Sequence, residues 1–132
     1  MNEKLKQHFL GLYQMILSDT EVHPKELELL YLIGKEKGVS EQEIQNAIFS
    51  PTNLFSFESL SNDDEKIGYL FDLARMAWAD GVLDPVEREC MINAGKRLGF
   101  SEERTADITN FLLEQAENGR SVRDVFETIK TL

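Results

Sequence analysis

Residues 76–89 read MAWADGVLDPVERE, and this stretch decides the fold that the sequence predicts. It has the features of a helix end, a tight turn at Asp80 and Gly81, and the start of a second helix. Asp84 is a favoured capping residue, and Pro85 suits a first helical turn because its missing amide hydrogen would have no helical partner there. Gly81 suits the left-handed position that closes the preceding helix. The stretch therefore predicts two helices joined by an acidic turn.

A related stretch, MILSDTEVHPKELE, occupies residues 15–28. Shifting the sequence by 61 positions aligns residues 15–44 with residues 76–105, and ten of these 30 positions are identical. The identical pairs are Met15/Met76, Asp19/Asp80, Pro24/Pro85, Glu26/Glu87, Glu28/Glu89, Gly34/Gly95, Lys35/Lys96, Gly38/Gly99, Ser40/Ser101 and Glu41/Glu102. Because one such unit cannot bury its apolar face alone, we predict an internal repeat of two related halves that pack together.

The rest of the chain also shows helical patterning, with apolar residues at three- and four-residue steps and capping residues between the segments. This pattern predicts an all-α fold of seven helices in one domain covering residues 1–132. The expected helices span about 3–18, 24–37, 40–49, 62–79, 85–99, 101–118 and 121–131. The two copies of the repeat would then cover about 3–49 and 62–118, with a terminal helix at 121–131.

A connector between the halves is predicted at residues 50–61, SPTNLFSFESLS, where proline, asparagine and serine interrupt the helical pattern. Leu54, Phe55 and Phe57 are too apolar for a free linker. We expect them to pack between the halves, and an exposed docking patch is the alternative.

The composition restricts the function. The 132 residues include 14 basic and 24 acidic side chains, for a net charge of −10. Such a surface repels nucleic acid and anionic lipid, so we expect another protein as the partner, and neither nucleic acid nor a membrane. Cys90 is the only cysteine, which excludes an intramolecular disulfide and a cysteine-based zinc site. With no signal peptide or membrane span in the sequence, a cytoplasmic location is expected.

The sequence contains no recognisable catalytic motif. It has no nucleophile elbow and no glycine-rich phosphate loop. His8 is expected at the surface or edge of the first helix, and His23 in a turn. Cys90 falls on a core stripe and is expected to be an inert buried thiol. We therefore predict that the protein is not an enzyme.

The acidic turns suggest a metal site. Asp80 and Asp19 follow helix ends, where the helix dipole disfavours an anion. A cation held between Asp80 and Glu87, and between Asp19 and Glu26 in the first copy, would offset that cost. Oxygen ligands favour Ca²⁺ or Mg²⁺, and so few of them predict weak binding. In the alternative interpretation these residues only cap helices, and no cofactor binds.

The turn also resembles a known family. Ala79-Asp80-Gly81, followed by Asp84-Pro85-x-Glu87 and a helix ending in Lys96-Arg97-Leu98-Gly99, is similar to the tellurite-resistance TerB family. A similar domain stands at the N-terminus of the DjlA co-chaperones. The resemblance implies an acidic all-helical protein of the cytoplasm, a role in the response to tellurite and other stress, and acidic residues that bind a divalent metal. By position, these residues are Asp19, Glu26, Asp80 and Glu87.

Two functions follow as alternatives. The first is a non-enzymatic module that binds a divalent cation in a stress response. The second is a protein-interaction domain with no metal site. They differ at Asp19 and Asp80, which converge under the first hypothesis and point apart into solvent under the second.

Overall fold

In the computed structural model, the described residues are 3–18, 24–48, 62–79 and 81–130. These ranges contain seven helices and no strand, so the predicted all-α fold is confirmed. The helices are α1 (Glu3–Ser18), α2 (Pro24–Glu36), α3 (Glu41–Ile48), α4 (Asp63–Ala77), α5 (Pro85–Arg97), α6 (Glu102–Glu117) and α7 (Val122–Lys130). The connector 50–61, with Leu54, Phe55 and Phe57, lies outside the described residues.

Several helices begin at the predicted capping residues. Ser40 Oγ accepts a hydrogen bond from the N–H of Glu43 at 3.1 Å, and the Glu43 carboxylate accepts from the N–H of Ser40 at 3.4 Å. These are the two bonds of a capping box. Asp84 begins α5 by accepting from the amide two residues further on, at 2.8 Å. Asn62 and Ser101 cap α4 and α6 in a similar way.

The central helix is α4, which packs against α1, α2, α5, α6 and α7. Its buried apolar side chains come from most of its circumference because neighbours surround it. The largest are Tyr69, Leu70, Phe71, Leu73 and Met76. From α1, the core receives Phe9, Leu12, Met15 and Ile16, all fully buried.

The helix pairs have a regular arrangement. Within the first three helices, α1 contacts α2 and α3, and α2 contacts α3; α4, α5 and α6 repeat this pattern. Between the two groups, α1 contacts α4, α1 contacts α5, and α2 contacts α4. Exchanging the two groups leaves this set of pairs unchanged. The internal repeat itself stays a prediction, and these pairings are the ones that it would require.

The ends of α2 and α5 are alike in detail. Gly38 and Gly99 have φ of 75° and 100°, a left-handed conformation that glycine adopts without strain. The amide of the next residue donates back into the helix, to the carbonyl of Gly34 at 2.7 Å in α2 and of Gly95 at 3.2 Å in α5. These bonds close each helix and turn the chain toward the one that follows.

The prediction that His8 lies at the surface or edge of α1 is wrong. His8 is 9% exposed, and its Nε2 lies 2.6 Å from Oδ2 of Asp72, which is 3% exposed. Lys37 Nζ lies 3.7 Å from the same oxygen, and Arg75 reaches Asp72 Oδ1 at 3.4 Å. Arg75 also donates to both carboxylate oxygens of Glu36, at 2.8 and 3.2 Å. These five residues, the Asp72 network, link α1, the end of α2 and α4.

The Asp72 network keeps its central carboxylate ionised. Burial raises the pKa of Asp72, but the hydrogen bond and the electrostatic interaction with His8, together with the positive charges of Lys37 and Arg75, hold that pKa below its ordinary value. A carboxylate in this position contributes to stability only while it is charged.

We predict that Asp72→Asn lowers the free energy of unfolding at pH 7 by about 1.5–3 kcal/mol, the range for a hydrogen bond to a charged group. Because the folded pKa lies below the unfolded value of about 3.9, the difference from the parent should be full above pH ~5. It should shrink as the pH falls through the folded pKa. Urea unfolding between pH 3 and 8 measures this. Asp107→Asn, at an exposed site on α6, is the control; an equal loss in both variants would contradict the prediction.

The second stability prediction concerns close helix contacts. A Cβ at Gly34 would overlap the buried Cδ1 of Ile44, and one at Gly95 would lie 2.7 Å from Cγ2 of the buried Thr105. At Gly68, in contrast, nothing lies closer than 3.9 Å. Gly34→Ala and Gly95→Ala should therefore each destabilise the protein by about 1–3 kcal/mol through overpacking.

The matched control is Gly68→Ala, which should stabilise the protein by up to about 1 kcal/mol because alanine favours the helix. Urea unfolding of the three variants gives the comparison. The packing argument is refuted if all three substitutions change the stability in the same direction.

Candidate functional site

Each predicted acidic turn leads into a helix that buries one glutamate in its first turn. Glu26 in α2 is 2% exposed and Glu87 in α5 is 3% exposed. Two residues further on, Glu28 and Glu89 are exposed. A helix N-terminus favours a carboxylate, but taking an ionised carboxylate out of water costs several kcal/mol unless other groups compensate. Of these four glutamates, the two that are buried are thus the two that the sequence predicts as metal ligands, together with Asp19 and Asp80.

The turn before α5 has the predicted local geometry. Gly81 has φ of 82°, and its N–H donates to the carbonyl of Trp78 at 2.9 Å. One oxygen of Asp84 is engaged in capping α5. Its capping role therefore has direct structural support.

The other two predicted ligands, Asp19 and Asp80, lie outside the described residues. Their predicted convergence therefore stays a prediction. Within residues 3–18, 24–48, 62–79 and 81–130, no group of three or more His, Cys, Asp or Glu side chains is placed to hold a metal ion. Of the four predicted ligands, the structure thus describes only Glu26 and Glu87, which lie at corresponding places in α2 and α5.

Cys90 lies one helical turn beyond Glu87 and is half-buried. Burial raises the pKa of its thiol, and the negative charge of Glu87 raises it further. Since the thiolate is the reactive form, both effects reduce reactivity at neutral pH. The predicted burial of this thiol is therefore only partial, and its low reactivity stays a prediction. His23, the other candidate from the sequence, lies outside the described residues.

A groove that the sequence analysis missed lies between α1, α4 and α5. Its volume is about 540 Å³. The groove is lined by Gly11 and Gln14 of α1, by Tyr69 of α4, and by residues of α5. The α5 residues are Pro85, Val86, Glu89, Cys90, Asn93, Ala94 and Arg97. The sequence contains one indication of this groove. When the sequence is shifted by 61 positions, Gly11 aligns with Asp72, and glycine has no side chain to fill the space.

Comparisons with protein-family models, curated proteins and solved structures find no match to this chain. The resemblance to the TerB family therefore rests on the sequence of the repeated unit, above all residues 79–99, and it stays a prediction. Among the helices that the structure describes, none has the length and apolar character needed to cross a membrane.

The proximity of Glu87 and Cys90 gives a testable prediction. Glu87→Gln removes the charge that raises the Cys90 pKa, so the thiol should react faster with iodoacetamide at pH 7–8. The pH profile of the alkylation rate should shift to lower pH. Glu89→Gln, which removes an exposed charge from the same helix, should shift it less. Indistinguishable profiles for the two variants would mean that Glu87 does not act on the thiol.

Proposed function

We propose that this protein is a non-enzymatic cytoplasmic module that binds Ca²⁺ or Mg²⁺ weakly at its acidic turns. The candidate ligands are Asp80 and Glu87 in one turn, and Asp19 and Glu26 in the other. The observation that carries the proposal is the burial of Glu26 and Glu87 in the first turns of α2 and α5. The resemblance to the TerB family supplies the proposed setting, a response to tellurite or related stress.

Position supports this assignment. Both glutamates follow an aspartate that the sequence places in a predicted turn, and both stand two residues after a proline at the start of a helix. Their exposed neighbours Glu28 and Glu89 carry the same charge on the same helices. A metal site requires one particular carboxylate at each turn. In each helix, only the first of these two glutamates is buried, which supports its assignment as the ligand.

Chemistry limits the affinity. Because Asp84 has one oxygen occupied by its cap, Asp80 and Glu87 would be the main charged ligands of their turn. Backbone carbonyls and water would complete the shell of a hard cation. We expect a dissociation constant on the order of 10⁻⁴–10⁻³ M, as for weak calcium modules.

The site is tested with the fluorescence of Trp78, the only tryptophan, which is half-buried two residues before Asp80. Millimolar Ca²⁺ or Mg²⁺ should change its emission saturably. The same concentration should stabilise the fold by about 0.4–1.4 kcal/mol, a melting shift of a few degrees. Glu87→Gln should weaken the response and Glu89→Gln should not; Glu26→Gln and Glu28→Gln form the same comparison in the first copy.

General screening of the −10 surface could imitate this response, so sodium chloride at matched ionic strength is the salt control. Asp80→Asn extends the test to the turn and should remove the metal-specific part. A bound cation would also neutralise Glu87, so the Cys90 pKa should fall on binding. If the parent, Glu87→Gln and Asp80→Asn respond equally to both cations, the acidic residues are only helix caps.

The second candidate function, a protein-interaction domain without a metal, is favoured by two exposed apolar residues beside the turn. Val82 is 67% exposed and Val86 is 51% exposed. Val82 and Val86 are four residues apart in the sequence, and interaction surfaces carry exposed apolar patches. This function takes the place of the first if the cation test fails.

A further inference from the structure

The groove and the Asp72 network occupy corresponding places in the packing. The network fills the junction of α1, α2 and α4, and the groove lies at the junction of α1, α4 and α5. Exchanging α1 with α4 and α2 with α5 converts the first junction into the second. A shift of 61 positions relates their residues: His8 corresponds to Tyr69, Gly11 to Asp72, Gln14 to Arg75, Glu36 to Arg97, and Lys37 to Leu98.

This correspondence explains why the groove exists. Where the network has the carboxylate of Asp72, the groove has Gly11, which offers no side chain. Where the network has Arg75, the groove has the shorter, neutral Gln14. The first junction is therefore filled by a buried carboxylate and its partners, while about 540 Å³ is left at the second.

The charges in the groove are arranged differently from those in the network. Arg97 takes the place of Glu36, so a cation stands where the network has an anion. The other charged group in the groove is Glu89, eight residues before Arg97 on α5, or about 12 Å along the helix axis. The Arg97 end thus attracts an anion, while Gln14 and Tyr69 offer an amide and a hydroxyl that can donate to one.

The rest of the surface is suited to an apolar group. Val86, Cys90 and Ala94 lie along the α5 wall, and Ala94 and Tyr69 are buried. The volume lies within the range of sites for small molecules, which typically combine apolar walls with a few polar groups.

We propose that the groove binds a small molecule with a carboxylate on an apolar body, the carboxylate taking at Gly11 the place that the Asp72 side chain takes in the network. Arg97 pairs with this carboxylate, Gln14 and the Tyr69 hydroxyl orient it, and the apolar body lies along α5. The site is separate from the acidic turns and does not rest on cation binding.

The probe is benzoate, with benzamide as its neutral counterpart of the same shape. In ¹H–¹⁵N NMR titrations at pH 7 and constant ionic strength, benzoate should shift the amide signals of Gly11, Gln14, Tyr69 and residues 90–97 saturably. Benzamide should bind at least about tenfold more weakly, because it cannot form the charged pair. Occupancy should also slow the alkylation of Cys90, which lies in the groove wall.

Two variants locate the site. Arg97→Gln should weaken benzoate binding at least about tenfold, while Arg88→Gln should leave it unchanged. Arg88 is the matched control because it lies on the same helix and donates to Asn110 of α6 at 2.8 Å. Gly11→Asp places a carboxylate in the groove itself and should abolish binding. The circular dichroism spectrum of each variant checks that it remains folded.

Several outcomes would overturn the proposal. Equal binding of benzamide would show an apolar cleft that does not recognise a carboxylate. Equal effects of Arg97→Gln and Arg88→Gln would show general electrostatic attraction of benzoate without a defined site. Undiminished binding in a folded Gly11→Asp variant would place the binding site elsewhere. The absence of saturable shifts in the parent protein would remove the site altogether.

Discussion

The contact between His8 and Asp72, 2.6 Å from Nε2 to Oδ2, is the interaction on which the packing of the first helices depends. A carboxylate that is 3% exposed can stay charged only where positive groups and hydrogen-bond donors surround it. His8 comes from α1, Lys37 follows α2, and Arg75 lies on α4 beside Asp72 itself. Satisfying this one charge therefore requires three segments of the chain to meet at a single point. The hydrophobic effect has no direction, whereas hydrogen bonds have defined directions.

Each of the two helix groups has a glycine at a close contact between helices. Gly34 and Gly95 lie 61 positions apart, and each is met by the residue ten positions later, Ile44 or Thr105. Both helices also end in a left-handed glycine followed by a bond back into the last turn. The difference lies in the contacts between the groups. One junction is closed by a buried charge and its partners, and the other is left as a groove. Two helix groups with the same set of helix pairings can thus have different chemistry at their two junctions.

The acidic turns hold both a residue that caps a helix and the residues proposed to bind a cation. Asp84 caps α5, and one of its carboxylate oxygens accepts a hydrogen bond there. It is therefore a weaker candidate for a metal ligand. Glu26 and Glu87 differ from Asp84 in their burial, since each is no more than 3% exposed. The same charge at Glu87 raises the pKa of Cys90, so one carboxylate influences both the proposed cation site and the only thiol. A cation there would act on stability and on thiol chemistry at once.

The sequence by itself determined the all-α class, the seven helices and their bounds, because these follow from local periodicity, capping residues and glycine positions. The related acidic stretches also predicted Asp19, Glu26, Asp80 and Glu87 as metal ligands, and this assignment stays a prediction. Only the tertiary structure decided that His8 is buried, because its partner Asp72 is 64 residues away and no local pattern shows such a pair. The groove at Gly11 was hidden for the same reason. A cavity is a property of several helices together, and a missing side chain leaves space only where the neighbouring helices do not fill it.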